Sequence, residues 1–128
     1  MKYFYSKKTD KSFDDAIESI TEFLKEEGFG VLTEIDVKET LKKKLDVDFK
    51  KYRILGACNP NFAHKALTSE DKIGVMLPCN VIVEEHEDGQ VEVSAVDPVA
   101  SMQAVENDEL YPVAEEVQSR LQKVIEKL

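Results

Sequence analysis

The residues with the greatest chemical potential in this chain are two cysteines, each followed by an asparagine. Cys58-Asn59-Pro60 ends one apolar segment, and Cys79-Asn80 follows Pro78 at the start of another. Asn-Pro is a typical helix start, and the positive end of a helix favours the thiolate form of a nearby cysteine. Asparagine supplies the donors and acceptors that a small polar ligand needs. Cys58, Asn59, Cys79 and Asn80 are therefore candidate ligand-binding residues, with Cys58 as the candidate catalytic nucleophile.

Two histidines could extend this set. His64 is a further ligand-binding candidate and the nearest base for nucleophilic catalysis, but its position six residues beyond Cys58 does not require its ring to point back. The four residues Cys58, Cys79, His64 and His86 make a chemically acceptable set of zinc ligands. The cysteines nevertheless lack the close paired spacing of structural zinc motifs, so no metal is predicted.

The glycines and the charges exclude other classes of function. The 5 glycines are isolated from one another, so there is no phosphate-binding loop, nucleophile elbow or dinucleotide fingerprint, and no cofactor is identified. The net charge of −9 repels phosphate backbones and anionic lipid. We therefore expect neither nucleic acid nor a membrane as a partner. Residues 38–53, which we call the basic segment, carry 7 basic and 3 acidic side chains. This local excess of positive charge is typical of a solvated helix face, an anion site or a complementary dimer contact.

Hydrophobic periodicity and capping residues predict the elements that position these side chains. Ser12 and Asp36 are expected to begin helices, with Val37, Leu41 and Leu45 facing inward in the second one. Asp88-Gly89 predicts a two-residue type I′ hairpin with Glu84 opposite Val93. Strands are predicted over residues 2–7, 29–35, 52–58 and 81–83, and the last of these pairs with a further strand in the hairpin. Helices are predicted over residues 12–28 and 36–45, from Asp97-Pro98 to about Ala104, and from about Pro112. Another helix is predicted to begin at Asn59-Pro60, and its buried side chains are Phe62, Ala63, Ala66 and Leu67.

This order of elements predicts an α+β fold in which residues 1–128 form a single domain. The expected architecture is a two-layer sandwich, with helices packed on a mixed or mostly antiparallel sheet of about five strands. Because both cysteines lie at the ends of apolar strands, we expect Cys58 and Cys79 to lie close together, with Asn59 and Asn80 facing one cleft.

Paired motifs around the cysteines resemble one known family. Residues 52–60 and 77–83, together with Glu34-Ile35-Asp36, Ala66-Leu67, Ile73-Gly74, Asp88-Gly89, Asp97-Pro98 and Met102, are similar to the domain-of-unknown-function 302 family over nearly the whole chain. The resemblance implies a compact two-layer α/β domain of a mainly bacterial and archaeal family. It carries no established activity and hence no catalytic residue.

Two hypotheses of function follow. The first is a non-enzymatic module that binds a small ligand near Cys58-Asn59 and Cys79-Asn80 or self-associates as a homo-oligomer. The second is a thiol-dependent redox or transfer protein that uses Cys58. The N-terminus has no signal-peptide pattern and no segment is apolar over a membrane-spanning length, so we expect free thiols in a cytoplasmic protein, although a Cys58–Cys79 disulfide stays open.

Overall fold

The computed structural model describes residues 2–128, and its elements follow the predicted order. The strands are β1 (Phe4–Thr9), β2 (Gly30–Asp36), β3 (Tyr52–Cys58), β4 (Cys79–Glu85) and β5 (Val91–Val96). The helices are α1 (Phe13–Glu26), α2 (Val37–Leu45), α3 (Pro60–Ser69), α4 (Pro98–Ser101) and α5 (Leu110–Glu126), with a short 3-10 helix over Asp71–Met76. Within residues 2–128 no helix combines the length and apolar composition needed to cross a membrane.

The five strands form one antiparallel sheet in the order β1-β5-β4-β3-β2. Helices α1 and α5 pack on one face of it, so the predicted two-layer α+β sandwich is confirmed. Alternate residues of the inner strands supply the sheet side of the core, because successive side chains point to opposite faces. The core side chains from the sheet are Leu55, Ala57, Val81, Val83, Val91, Val93 and Ala95, and those from the helices are Phe13, Ala16, Ile20, Leu24, Val117, Leu121, Val124 and Ile125.

The helix starts predicted at Ser12 and Asp36 are confirmed by side-chain caps. The Ser12 hydroxyl accepts a hydrogen bond from the Asp15 amide at 3.1 Å, and the Asp36 carboxylate accepts one from the Glu39 amide at 3.0 Å. The predicted packing of α2 is wrong, since none of its residues is buried and Leu45 is exposed. This helix lies at the edge of the sheet beside β2 and β3, away from the core that α1 and α5 cover.

The β4–β5 hairpin is present, but its predicted turn and register are wrong by one residue. The His86 amide bonds to the Gln90 carbonyl and the Gly89 amide to the His86 carbonyl, which leaves a three-residue loop. Gly89 has φ +84, whereas Asp88 does not adopt the positive φ that a type I′ turn requires at both central positions. Glu84 therefore pairs with Glu92 and not with Val93.

Candidate functional site

An apolar cavity of about 320 Å³ lies where the ends of β3 and β4 meet helices α3 and α5. It is lined by Phe29, Leu32, Thr33, Ala57, Cys58, Asn59, Phe62, Ala63, Ala66, Leu67, Leu77, Pro78, Cys79, Pro98, Met102, Leu110, Val113, Ala114 and Val117. No charged side chain is among the described residues that form this wall. Its volume falls at the lower end of the roughly 300–1000 Å³ typical of small-molecule sites.

Strand pairing brings the two cysteines to this cavity. Cys79, the first residue of β4, lies opposite Ala57, and Cys58 is the next residue and the last of β3. Both cysteines are partly buried and line the cavity. Cys58 and Cys79 therefore lie in one cleft, as their positions at strand ends predicted.

The two thiols differ in their electrostatic surroundings. Burial raises the pKa of Cys79 to about 11, and the electrostatic interaction with nearby Cys58 adds to that rise. Cys79 is accordingly a protonated thiol at neutral pH and a weak nucleophile. Any thiolate chemistry in this cavity would have to come from Cys58.

Asn59 does more than begin α3. It occupies the N-cap position, yet its side chain makes no capping hydrogen bond. The amide instead donates to the Glu27 carbonyl at 3.3 Å, and the Arg120 guanidinium donates to the same oxygen at 3.1 Å. Asn59 is only 7% exposed, so this bond ties the start of α3 to the end of α1 and stabilises one wall of the cavity.

Asn80 and His64 lie elsewhere, so the expectation that both asparagines face one cleft is wrong for Asn80. The pleat of β4 turns Asn80 to the opposite sheet face, where it lines a shallow groove with Tyr52 and Ile82. His64 is on the exposed side of α3, in a surface groove with Lys65. The four residues considered as a zinc set are therefore not assembled.

The apolar wall was only partly visible in the sequence. The predicted inner face of α3 is only partly buried: Ala66 is buried and Phe62 packs against the core, but Leu67 is 44% exposed, so its predicted burial is wrong. That Met102 and α5 contribute side chains to the cavity wall could be learned only from the tertiary fold. Leu32, at the irregular pairing of β2 with β3, and Leu67 are exposed apolar residues at the cavity's edge.

The comparisons with known proteins agree with this structure. A family model described as Domain of unknown function DUF302 matches residues 5–128. The fold is similar to the crystal structure of an uncharacterized conserved DUF302 protein from Bacillus stearothermophilus, with a TM-score of 0.92 and 28% identity over 99% of this chain and 98% of that chain. No curated protein matches the sequence.

Proposed function

The chain belongs to the DUF302 family, and we propose that it is a non-enzymatic module that binds a small, uncharged apolar molecule in the cavity beside Cys58 and Cys79. The observation that carries this proposal is the composition of the wall, where nearly every lining side chain is aliphatic, aromatic or sulfur-containing. Transfer of apolar surface from water into such a space is favourable by about 25 cal/mol per Å². A charged ligand would lose its hydration without gaining a partner.

This ligand class differs from the small polar molecule that the two asparagines suggested. Asn80 is on the other sheet face, and the Asn59 amide is already bonded to the Glu27 carbonyl. The remaining polar residues at the wall are Thr33 and the two cysteines. So few small polar side chains suit an apolar ligand with at most one small polar group.

The absence of a base at the cavity also supports binding over catalysis. Among the described residues, no histidine, aspartate or glutamate lines the wall. General acid–base or nucleophilic catalysis needs such a group within hydrogen-bond reach of the reacting atoms. The thiol-dependent hypothesis is therefore restricted to Cys58 acting without a side-chain base.

A titration with n-alkyl alcohols of increasing chain length tests the proposal. We expect saturable binding of one alcohol per chain by calorimetry, with an affinity that rises with chain length until the cavity is full. Ala63→Leu places extra methyl groups in the cavity and should weaken the longest bound alcohol by at least about tenfold, which corresponds to about 1.4 kcal/mol. The proposal fails if no alcohol binds saturably.

Ala100→Leu is the matched control for that variant. Ala100 is also a half-buried helical alanine, but it lies in α4 outside the cavity wall. Its substitution should leave alcohol affinity unchanged. Equal weakening in both variants would assign the effect to general destabilisation and remove the support for this cavity as the binding site.

Self-association is a second proposal, with the sheet face opposite α1 and α5 as the interface and a second copy of this chain as the occupant. Strand register places Phe4, Ile54 and Ile82 on that face, and none of them is fully buried. Lys50 and Glu84 lie on the same face, so a two-fold arrangement can match opposite charges. Sedimentation of Ile82→Asp against the unsubstituted chain tests it: dimer dissociation is expected, and a monomeric unsubstituted chain contradicts the proposal.

A further inference from the structure

Three metal-ligating side chains meet on the sheet face opposite α1 and α5, remote from the cysteines. Glu84, His86 and Glu92 offer an imidazole nitrogen and two carboxylate oxygens, all within 4.8 Å of one another. Glu84 and His86 project from the same side of the chain at the end of β4, and Glu92 lies directly opposite Glu84 on β5. We propose that this cluster is a binding site for a divalent transition-metal ion of the zinc type.

The donor set selects the class of ion. Imidazole nitrogen combined with carboxylate oxygen suits Zn²⁺ and its first-row neighbours, whereas Mg²⁺ and Ca²⁺ prefer oxygen alone and Cu(I) prefers sulfur. Three protein ligands leave a fourth tetrahedral position for water. The side chains of Glu84, Glu92 and His86 are only 14%, 23% and 33% exposed, so the donors lie against the sheet and not free in solvent.

The distance between the His86 and Glu92 donor atoms is close to that between two ligands of one ion. The His86 Nε2 and Glu92 Oε1 atoms are 2.8 Å apart, while neighbouring ligands of a tetrahedral zinc ion lie roughly 3.4 Å apart, given bond lengths of about 2.1 Å. Metal entry therefore needs small side-chain rotations. It replaces the hydrogen bond between these two atoms with two metal–ligand bonds, and the Nε2 proton passes to Nδ1 or to solvent.

Groups around the cluster already orient both carboxylates. Ser6 Oγ donates to Glu92 Oε2, and the Ser6 and Ser94 hydroxyls are 2.9 Å apart. Lys50 Nζ lies 2.7 Å from Glu84 Oε1. Outer groups of this kind fix the direction of metal-bound carboxylates and contribute to affinity. Because Ser6 bonds to Oε2 of Glu92, the other carboxylate oxygen, Oε1, faces His86.

Cross-strand charge also favours an ion at this position. Glu84 and Glu92 are direct partners across β4 and β5, and like charges placed opposite each other destabilise a sheet. Lys50 and Lys8, which lies opposite Glu92 on β1, offset that repulsion in the metal-free protein. Because these ammonium groups also oppose an incoming cation, we expect micromolar and not nanomolar affinity.

Calorimetric titration of the metal-stripped full chain with Zn²⁺ tests the site, with Co²⁺ absorption reporting the coordination geometry. One ion per chain is expected, with a micromolar dissociation constant and a tetrahedral Co²⁺ spectrum. Glu92→Gln keeps the side-chain shape, and both this variant and His86→Ala should weaken binding more than about tenfold. Circular dichroism checks that each variant stays folded.

Two controls separate this site from other sources of binding. Glu87→Gln removes one negative charge from the exposed hairpin loop beside the cluster and should leave affinity unchanged. The double variant Cys58→Ser/Cys79→Ser should also retain full affinity. The proposal is overturned if the unsubstituted chain shows no saturable micromolar binding, if His86→Ala binds as tightly as the unsubstituted chain, or if only the cysteine variant loses the ion.

Discussion

Gly56 permits a close approach of three segments at the cavity, and adding one methyl group there is a sharp test of the packing. An ideal Cβ on Gly56 would lie 2.8 Å from Pro78 Cγ and closer still to Thr33 Oγ1. Thr33 and Pro78 both line the cavity. Gly56→Ala should therefore disturb the cavity wall as well as the β2–β3–β4 pairing.

The size of the effect follows from which neighbour can move. The Thr33 hydroxyl can rotate to another rotamer, but the Pro78 ring is fixed to the backbone just before β4. Overpacking of this kind costs about 1–3 kcal/mol. With an unfolding entropy of about 2.1 cal/mol/K per residue, the melting temperature should fall by roughly 4–11 °C.

Urea and thermal unfolding measure this loss against Gly30→Ala, a substitution in a strand where the added methyl group would meet no atom within 4 Å. Gly30→Ala should be neutral or stabilising by up to about 1 kcal/mol. Adding Thr33→Ala to Gly56→Ala should recover part of the loss, because it removes the nearest clashing atom. Equal stability of Gly56→Ala and the unsubstituted chain would refute the packing described for this site.

Three further outcomes are expected. Gly89→Val should destabilise the hairpin by about 1–3 kcal/mol in urea unfolding, because a β-branched residue resists φ +84, and unchanged stability would contradict the turn described. Tyr5→Phe removes the 2.9 Å hydrogen bond to Asp97 and should cost about 1 kcal/mol. Burial and the Asp97 bond raise the pKa of Tyr5. The contribution of Tyr5 to stability is therefore full below a pH of about 10 and is lost as the pH rises further. A difference in unfolding free energy between the unsubstituted chain and Tyr5→Phe that persists undiminished at higher pH would contradict this. In Cys58→Ser, burial still raises the pKa of Cys79, so iodoacetamide should label Cys79 slowly at neutral pH and faster as the pH rises into the alkaline range; rapid labelling at neutral pH would contradict its burial.

Local sequence signals predicted the elements well where one physical cause dominated. The apolar run Tyr52–Cys58 is β3 to the residue, and Ser12 and Asp36 begin helices through the predicted caps. The exposure of Leu45 was not predictable, because an apolar spacing does not say whether a sheet face is available to cover it. Helix α2 has the spacing of a packed helix but lies at the sheet edge.

The two candidate sites depended on features that one-dimensional patterns do not encode. The hairpin loop around Asp88-Gly89 is one residue longer than the predicted loop. Glu84 therefore pairs with Glu92, and both carboxylates lie beside His86. The proximity of Cys58 and Cys79 was predictable because both lie at strand ends. The cavity between these cysteines and α5 was not predictable, because an unfilled volume arises only when helices and sheet are packed.

Nuclear Overhauser contacts between bound decanol and methyl groups of the isotope-labelled chain test the central proposal most directly, since they locate the apolar ligand. Binding in the cavity predicts contacts from the alcohol to the methyl groups of Ala63, Met102 and Val113, which line it. No contacts are expected to Ile54 or Ile82 on the opposite sheet face. Contacts confined to those isoleucines, or no contacts to any methyl group at saturating alcohol, would contradict the account.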